Sequence, residues 1–250
     1  MDDLATRQFL DLERRHWWFE GRRRVFFSVL RDVLGPVSGL RILDVGCGVG
    51  GMMQELRQFG EPTGLELSEP MIHRTRERGF GQLTLGSAED LPVKPGSLDL
   101  ITAFDCIEHL DRDREALRGF HHALAPGGHI FLSVPAYQIL YADNDRVAMH
   151  KRRYRRSDLA QRVRDAGFEV VKTSYVNLWL FPLILPAVLL LKLKQTLSPR
   201  RKLKTNLSYV PHPLINNTLA AVFGSERHIL RWLSFPFGHS IILAGRKPRD

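Results

Sequence analysis

The chain has 250 residues, a formal net charge of +9 from 36 Lys and Arg against 27 Asp and Glu, and two cysteines. That length suffices for one domain with a full core, and the composition is that of an ordinary globular chain. Cys47 and Cys106 argue against a disulfide framework or a thiolate metal site, and reduced thiols in a cytosolic compartment are expected; the acidic opening Met1-Asp2-Asp3, with no apolar stretch behind it, leads us to expect no secretory leader.

Residues 4–34 read as helix, with Leu4, Phe9, Leu12, Trp17, Phe26, Leu30 and Leu34 among its apolar positions and Gly35-Pro36 as its stop. Strands are predicted at 41–45, 62–66, 82–85, 98–103 and 129–134, with helical stretches between them. Such alternation over short connections implies a parallel sheet covered on both faces. Ser157 to Gly167 reads as a helix with Ser157 as N-cap and Gly167 as stop. Residues 168–176 and 240–246 read as the last two strands. The stretch between them, 177–236, is too long for an ordinary loop and reads as an inserted helical subdomain, with a helix over 212–233. The expected organisation is therefore a helical cap (1–38), a core (39–176), the insertion (177–236) and the final strand with its tail (237–250).

Ligands in such sheets bind at the carboxyl ends of the strands. There the sequence places Asp44, Glu66, Ser87 to Glu89 and Phe104 to His109 around one crevice. The run Arg41-Ile-Leu-Asp-Val-Gly-Cys-Gly-Val-Gly-Gly51 passes from an apolar strand through glycines 46, 48, 50 and 51 into a helical segment. Glycine permits a sharp turn and lets a ligand approach the backbone. Glu66 closes the next apolar run, where an acid accepts hydrogen bonds from ribose hydroxyls. Asp44 leads into the turn, which suits a ligand with an ammonium and a sulfonium better than an anionic pyrophosphate seeking bare N–H groups. S-adenosylmethionine (SAM) carries both cations.

Asp44-Val-Gly-Cys-Gly-Val-Gly-Gly51 resembles the first motif of class I SAM-dependent methyltransferases. Gly86-Ser-Ala-Glu-Asp-Leu-Pro92 resembles their adenine loop, Ser97 to Leu110 their fourth-strand motif, and Leu124 to Pro135 their fifth strand and its entry turn. The match runs over roughly residues 39–176 and favours the small-molecule and lipid branch typified by quinone-biosynthesis enzymes. The resemblance implies a Rossmann-like, mostly parallel, seven-stranded α/β sheet. It assigns Asp44, Gly46, Cys47, Gly48 and Gly50 to the methionyl end, Glu66 with Leu67 to the ribose side, and Ser87, Ala88, Glu89 and Phe104 to the remaining cofactor contacts. Many relatives have Asp where Ser87 stands, so the adenine contact departs from the pattern. A leading helix caps the pocket in relatives, which makes Trp17, Trp18 and Arg22 to Arg24 candidates for a lid, with Trp17 facing the acceptor.

Leu178 to Leu191 is the most apolar run of the chain, uncharged and followed by Lys192 and Lys194. A spanning helix needs about 20 apolar residues, and this run is shorter. Two readings stay open: an element in the headgroup zone of an anionic membrane, or a buried helix roofing the substrate pocket. From Val171 to Ser225 there is no acid, while Lys172, Lys192, Lys194, Arg200, Arg201, Lys202 and Lys204 accumulate, which implies an anionic partner. Both readings make the acceptor apolar or lipid-like; the expected location is the cytoplasm, and the first reading adds a peripheral place on the cytosolic membrane face.

Methyl transfer from SAM is mainly a positioning problem, helped by a base when the acceptor is a hydroxyl or acidic carbon. His109 is the first candidate base, His150 the second and Asp105 a weaker one. His150-Lys-Arg-Arg-Tyr154 resembles an H-x-x-R-Y signature of lipid- and glycan-associated relatives; in it Arg152 and Arg153 would clamp a phosphate or carboxylate, beside Tyr154. No carboxylate cluster suggests a metal. No stacking module for nucleic acid is recognisable. The rivals are a nicotinamide-dependent oxidoreductase and a non-catalytic SAM-binding scaffold of a membrane complex.

Overall fold

The computed structural model describes residues 12, 13, 15–197 and 210–249. Leu4 and Phe9, and the basic residues from Arg200 to Lys204, lie outside the described residues. The strands are β1 (Ile42–Val45), β2 (Pro62–Glu66), β3 (Leu83–Leu85), β4 (Leu98–Phe104), β5 (Leu124–Pro135), β6 (Glu169–Val176) and β7 (Ser240–Arg246). They form one sheet in the order β3-β2-β1-β4-β5-β7-β6. All neighbours pair in parallel except β7, which runs antiparallel between β5 and β6. Every residue of β1 is buried, Asp44 among them. A central parallel strand covered on both faces reads as a continuous apolar run, so a carboxylate inside one calls for a reason.

The helices are α1 (Trp17–Leu34), α2 (Met53–Leu56), α3 (Glu69–Glu77), α4 (Asp113–Ala123), α5 (Asp143–Val147), α6 (Arg156–Asp165), α7 (Phe181–Leu197), α8 (Pro213–Ser225) and α9 (Arg227–Leu230). The predicted first helix is interrupted. His16 adopts an extended conformation, and its side chain accepts the Trp18 N–H as an N-cap. Periodicity alone does not reveal this break, because His16 is no usual cap residue. Similarly, α6 starts at Arg156 with Arg155 as N-cap, two residues before the predicted Ser157 cap. Ser157 donates instead to Asp158. Gly167 does follow the helix end as expected, at φ 99°.

Phe26 of α1 stacks on Phe104 of β4, with ring centroids 6.0 Å apart, and Phe131 of β5 joins them. This aromatic wedge seats α1 across the carboxyl ends of the central strands. The insertion then packs on α1 rather than standing apart. The side chain of Phe223 in α8 lies against Gly21, where a Cβ would fall 2.5 Å from the ring. Asn216 accepts the Trp17 N–H at 2.8 Å and donates to the Arg15 carbonyl at 2.8 Å. The predicted helix over 212–233 divides at Glu226, which caps both pieces.

Candidate active site

From β1 the chain turns into α2 through Gly46, Gly48 and Gly50 at φ of 70°, 55° and 78°. Residues with a Cβ resist that region by roughly 1–2 kcal/mol. At Gly46 a Cβ would also strike the Cys106 thiol at 2.7 Å, whereas at Gly48 it would meet nothing within 4 Å. The turn thus presents open backbone above Gly48, as a closely bound nucleoside requires.

Asp44 lies beneath this turn. Its Oδ1 accepts from the Thr102 hydroxyl at 2.7 Å. Burial, reinforced by the charges of Glu13 and Glu66 and opposed by the Thr102 bond, raises its carboxyl to about 7. A cation placed nearby would relieve that penalty. Glu66 accepts the Gly48 N–H on Oε2 and the Ser68 N–H on Oε1, each at 2.9 Å. A carboxylate offers about four lone-pair positions, so Glu66 ties the turn to β2 and keeps capacity for two hydroxyls. Leu67, next along, is 73% exposed and offers an apolar face to a base. Across from it Ser87 accepts the Glu89 N–H at 3.1 Å, while Glu89 is engaged by the Arg112 N–H at 2.8 Å and by its side chain. These groups fit SAM: an open glycine turn, an acid for the cationic end and an acid for the ribose. Cys47 is buried, with its Sγ against Gly64, and burial pushes its thiol up. Phe104 is spent in the aromatic wedge, so its ring contributes packing rather than a cofactor contact.

The loops after β4 and β5 carry the candidate bases. Asp105 takes the unusual φ of 47°. Its carboxylate accepts from Arg22 Nη1 at 2.5 Å and from the Ser133 hydroxyl at 2.8 Å. Its oxygens are occupied, which demotes it as a base and identifies it as the anchor of Arg22. Neither oxygen of Glu108, which is fully buried, has a hydrogen-bond partner among the described residues. Burial, with the Asp105 charge, pushes its carboxyl well above the usual range. His109 packs edge-on against His150 with ring centroids 4.7 Å apart. Burial and the His150 charge hold it below an ordinary imidazole.

His150 Nδ1 lies 2.8 Å from Asp145 Oδ1. Burial alone would raise Asp145, but hydrogen bonds from His150 and Arg153 hold it down at about 2. An ionised Asp145 only accepts, so His150 carries its proton on Nδ1. In the neutral ring the lone pair is then on Nε2, which faces Glu108 at 3.8 Å. Ligand atoms of Glu108, His109 and His150 lie within 4.8 Å of one another. No contiguous acidic run foretold this mixed trio; the positive charges of Arg22 and Arg153 act on it as well.

The clamp residues separate. Arg153 donates Nε to Asp145 at 2.8 Å and Nη1 to the Ala136 carbonyl at 3.1 Å, so it braces the His150 loop. Arg152 is turned away, onto the Leu110 carbonyl and Asp113. Tyr154 is buried and donates to Asp113 at 2.7 Å, which makes it a structural residue. Trp17 is bound through its N–H to the insertion. Trp18 instead reaches the strand ends, edge-on to His239 at 5.2 Å. Burial and the charge of Arg153 lower His239 to about 3, and its Nδ1 has no partner. Of the three arginines in the basic run, Arg22 enters the site. Arg23 and Arg24 line a surface cavity of about 610 Å³ with Arg31, Arg227 and Arg231.

The sequence places Glu108 in the crevice, within Phe104 to His109, without giving it a role; Asp145 and His239 are not foreseen there. The one available signal was Asp143-Asn-Asp145 shortly before His150, on a loop already suspected of facing the acceptor.

Residues 17–173 match the methyltransferase domain family. The chain is 30% identical over 146 residues to the ubiquinone biosynthesis O-methyltransferase of Albidiferax ferrireducens, covering 53% of this chain and 58% of that protein. A similar match to the Pseudomonas aeruginosa protein of the same name is 28% identical over 149 residues, covering 53% and 63%. This chain therefore matches under two thirds of these relatives' length. Among solved structures, the fold is similar to an S-adenosylmethionine-dependent methyltransferase from Mesorhizobium loti, at TM-score 0.58 and 18% identity over 88% of this chain and 96% of that one. It is also similar to Haemonchus contortus phosphoethanolamine N-methyltransferase 2, at TM-score 0.55 and 20% identity over 88% and 51%.

Proposed function

This chain belongs to the methyltransferase domain family, of the class I SAM-dependent fold, and from that premise we propose that it methylates a hydroxyl of a lipid-linked small molecule at a membrane surface. The observation that carries the reading is the pairing of two halves of one crevice. Asp44 and Glu66 stand at the glycine turn, and the Asp145-held His150 stands on the loop after β5.

When bound, SAM supplies a methyl carbon already activated by positive sulfur. Asp44 and the glycine turn would hold its methionyl end, Glu66 its ribose, and Leu67 with Ser87 and Ala88 its base. His150 Nε2 accepts the acceptor's hydroxyl proton, and Asp145 stabilises the imidazolium that forms. Burial favours the neutral form of Glu108, which lies beside His150 Nε2 at 3.8 Å. Arg22, fixed by Asp105, contributes positive charge beside the developing oxyanion. The O-methyltransferase names of the relatives support an oxygen acceptor.

The rim of the crevice supports an apolar acceptor. Leu183, Leu189, Leu190 and Leu193 of α7 are exposed, as are Ile139 and Met149 on the loop that bears His150. Lys192 Nζ donates to the Ile139 carbonyl at 2.7 Å, joining helix and loop. No helix among the described residues is long and apolar enough to cross a membrane. A peripheral, cytosol-facing placement on anionic lipid is part of the proposal.

The test is incubation with methyl-labelled SAM and a membrane lipid extract. Label should enter the organic phase with wild type and fall to background with Asp44→Ala. Label confined to the aqueous phase would overturn the lipid-linked acceptor.

A further inference from the structure

The fourth glycine of the turn is filled from an unexpected direction. A Cβ on Gly51 would fall 1.8 Å from Glu13 Oε1, 2.0 Å from Cδ and 2.3 Å from Oε2. The Glu13 carboxylate therefore lies flat on the turn, delivered from the helical residues before His16. It is held there from two sides. Arg78 Nη1 donates to Glu13 Oε2 at 3.1 Å and to the Val49 carbonyl at 2.6 Å, and Arg23 Nη1 donates to the Glu13 backbone carbonyl at 2.8 Å. The Glu13 side chain is only 12% exposed. Arg78 compensates the buried charge through Oε2, while Oε1 is the oxygen nearest the turn at Gly51.

We propose that Glu13 is a cofactor-recognition residue, which with Asp44 receives the ammonium of SAM's methionyl end and so makes the N-terminal segment part of the cofactor site. This rests on the SAM reading given above. The charge of Glu13 already acts on Asp44, disfavouring its ionisation. A cation between the two relieves both. Arg78 neutralises one oxygen of Glu13, and among the described residues no donor engages Oε1. The pocket then presents Glu13, Asp44 and Glu66 around a single glycine turn. Such a field favours the sulfonium form, with two cationic groups and one carboxylate, over the sulfide left after transfer, because loss of one positive charge weakens the attraction.

Calorimetric titration with SAM and with 5′-methylthioadenosine, which keeps the nucleoside and lacks the amino-acid end, tests this. Glu13→Gln should weaken SAM binding by roughly tenfold or more, the range of one charge-assisted hydrogen bond. It should leave methylthioadenosine binding unchanged. Gly51→Ala, whose methyl displaces the carboxylate without removing it, should give the same pattern and serves if Glu13→Gln unfolds. Unchanged SAM affinity would overturn the proposal. So would equal weakening of both ligands, because Glu13 would then only hold the segment closed. Glu66→Ala is the control for the parent reading: if wild type ignores SAM, or Glu66→Ala binds it as well as wild type, the SAM site itself is wrong.

Discussion

His150 and the buried Asp145 form a pair, Nδ1 to Oδ1 at 2.8 Å, with Arg153 donating to the same oxygen. Three elements of one loop thus fix the direction of a single imidazole. Replacing His150 by Ala should lower kcat by about 10²–10⁴, the usual contribution of a positioned base, with SAM affinity unchanged by calorimetry. Asp145→Asn should reduce kcat less and displace the pH–rate profile, since the amide orients the ring without an anion behind it. An unshifted profile would leave Asp145 with a purely structural role.

Glu66 is both ligand and staple. Glu66→Ala removes the acceptor of the Gly48 and Ser68 N–H groups. The variant should lose about 1–3 kcal/mol of stability in urea, together with most of its SAM affinity. Glu66→Gln, which can satisfy one N–H with its carbonyl, should recover part of the stability.

Asp44 sets a pH dependence of definite sign. Its folded carboxyl is raised to about 7 from 3.8. Between those values the folded chain keeps a proton that the unfolded chain has released. Stability of the ligand-free protein therefore falls as pH rises from about 4 to about 7. Asp44→Asn should flatten that fall, by at most about 4 kcal/mol. SAM, being cationic, prefers the ionised form, so affinity of the wild type should rise through pH 7 while that of Asp44→Asn stays flat.

At the end of β6, Asn177 sits at φ 61°. Its N–H and that of Trp179 are both received by Glu226, at 2.7 and 3.1 Å. Burial raises Glu226 to about 7 despite these bonds. Glu226→Ala would leave two N–H groups without an acceptor and should cost about 2–5 kcal/mol, read as a lowered urea midpoint. Phospholipid binding should fall with it, because α7 departs from this corner.

Substituting Leu183, Leu189, Leu190 and Leu193 by Ser should abolish flotation with anionic liposomes and leave SAM affinity intact. Equal flotation of the two proteins would assign the exposed leucines another role.

The glycine turn and the acids beside it were legible in the sequence, because each of these features is local. Asp44 ends a strand, the glycines follow at once, and Glu66 ends the next strand; spacing along the chain is enough. β2 and β7 fall where the sequence places them, while β5 begins at Leu124, five residues before the predicted start. The acceptor half was not legible, because its groups meet only through tertiary packing. Arg22 and Asp105 are 83 positions apart, and Glu108 faces His150 from a different loop. A basic run looks alike whether it holds a phosphate or braces a loop. Arg152, Arg153 and Tyr154 turned out to brace, since buried acids, Asp113 and Asp145, had claimed them. Trp17 and Trp18 are adjacent, and only the break at His16 decides which ring looks inward.

The insertion leaves the sheet between β6 and β7, at the rim opposite β2 and β3. The glycine-turn strands and the insertion therefore share a scaffold without sharing a register. A descendant could trade α7 and α8 for another roof, and so change clientele, while the methyl donor's berth keeps its dimensions.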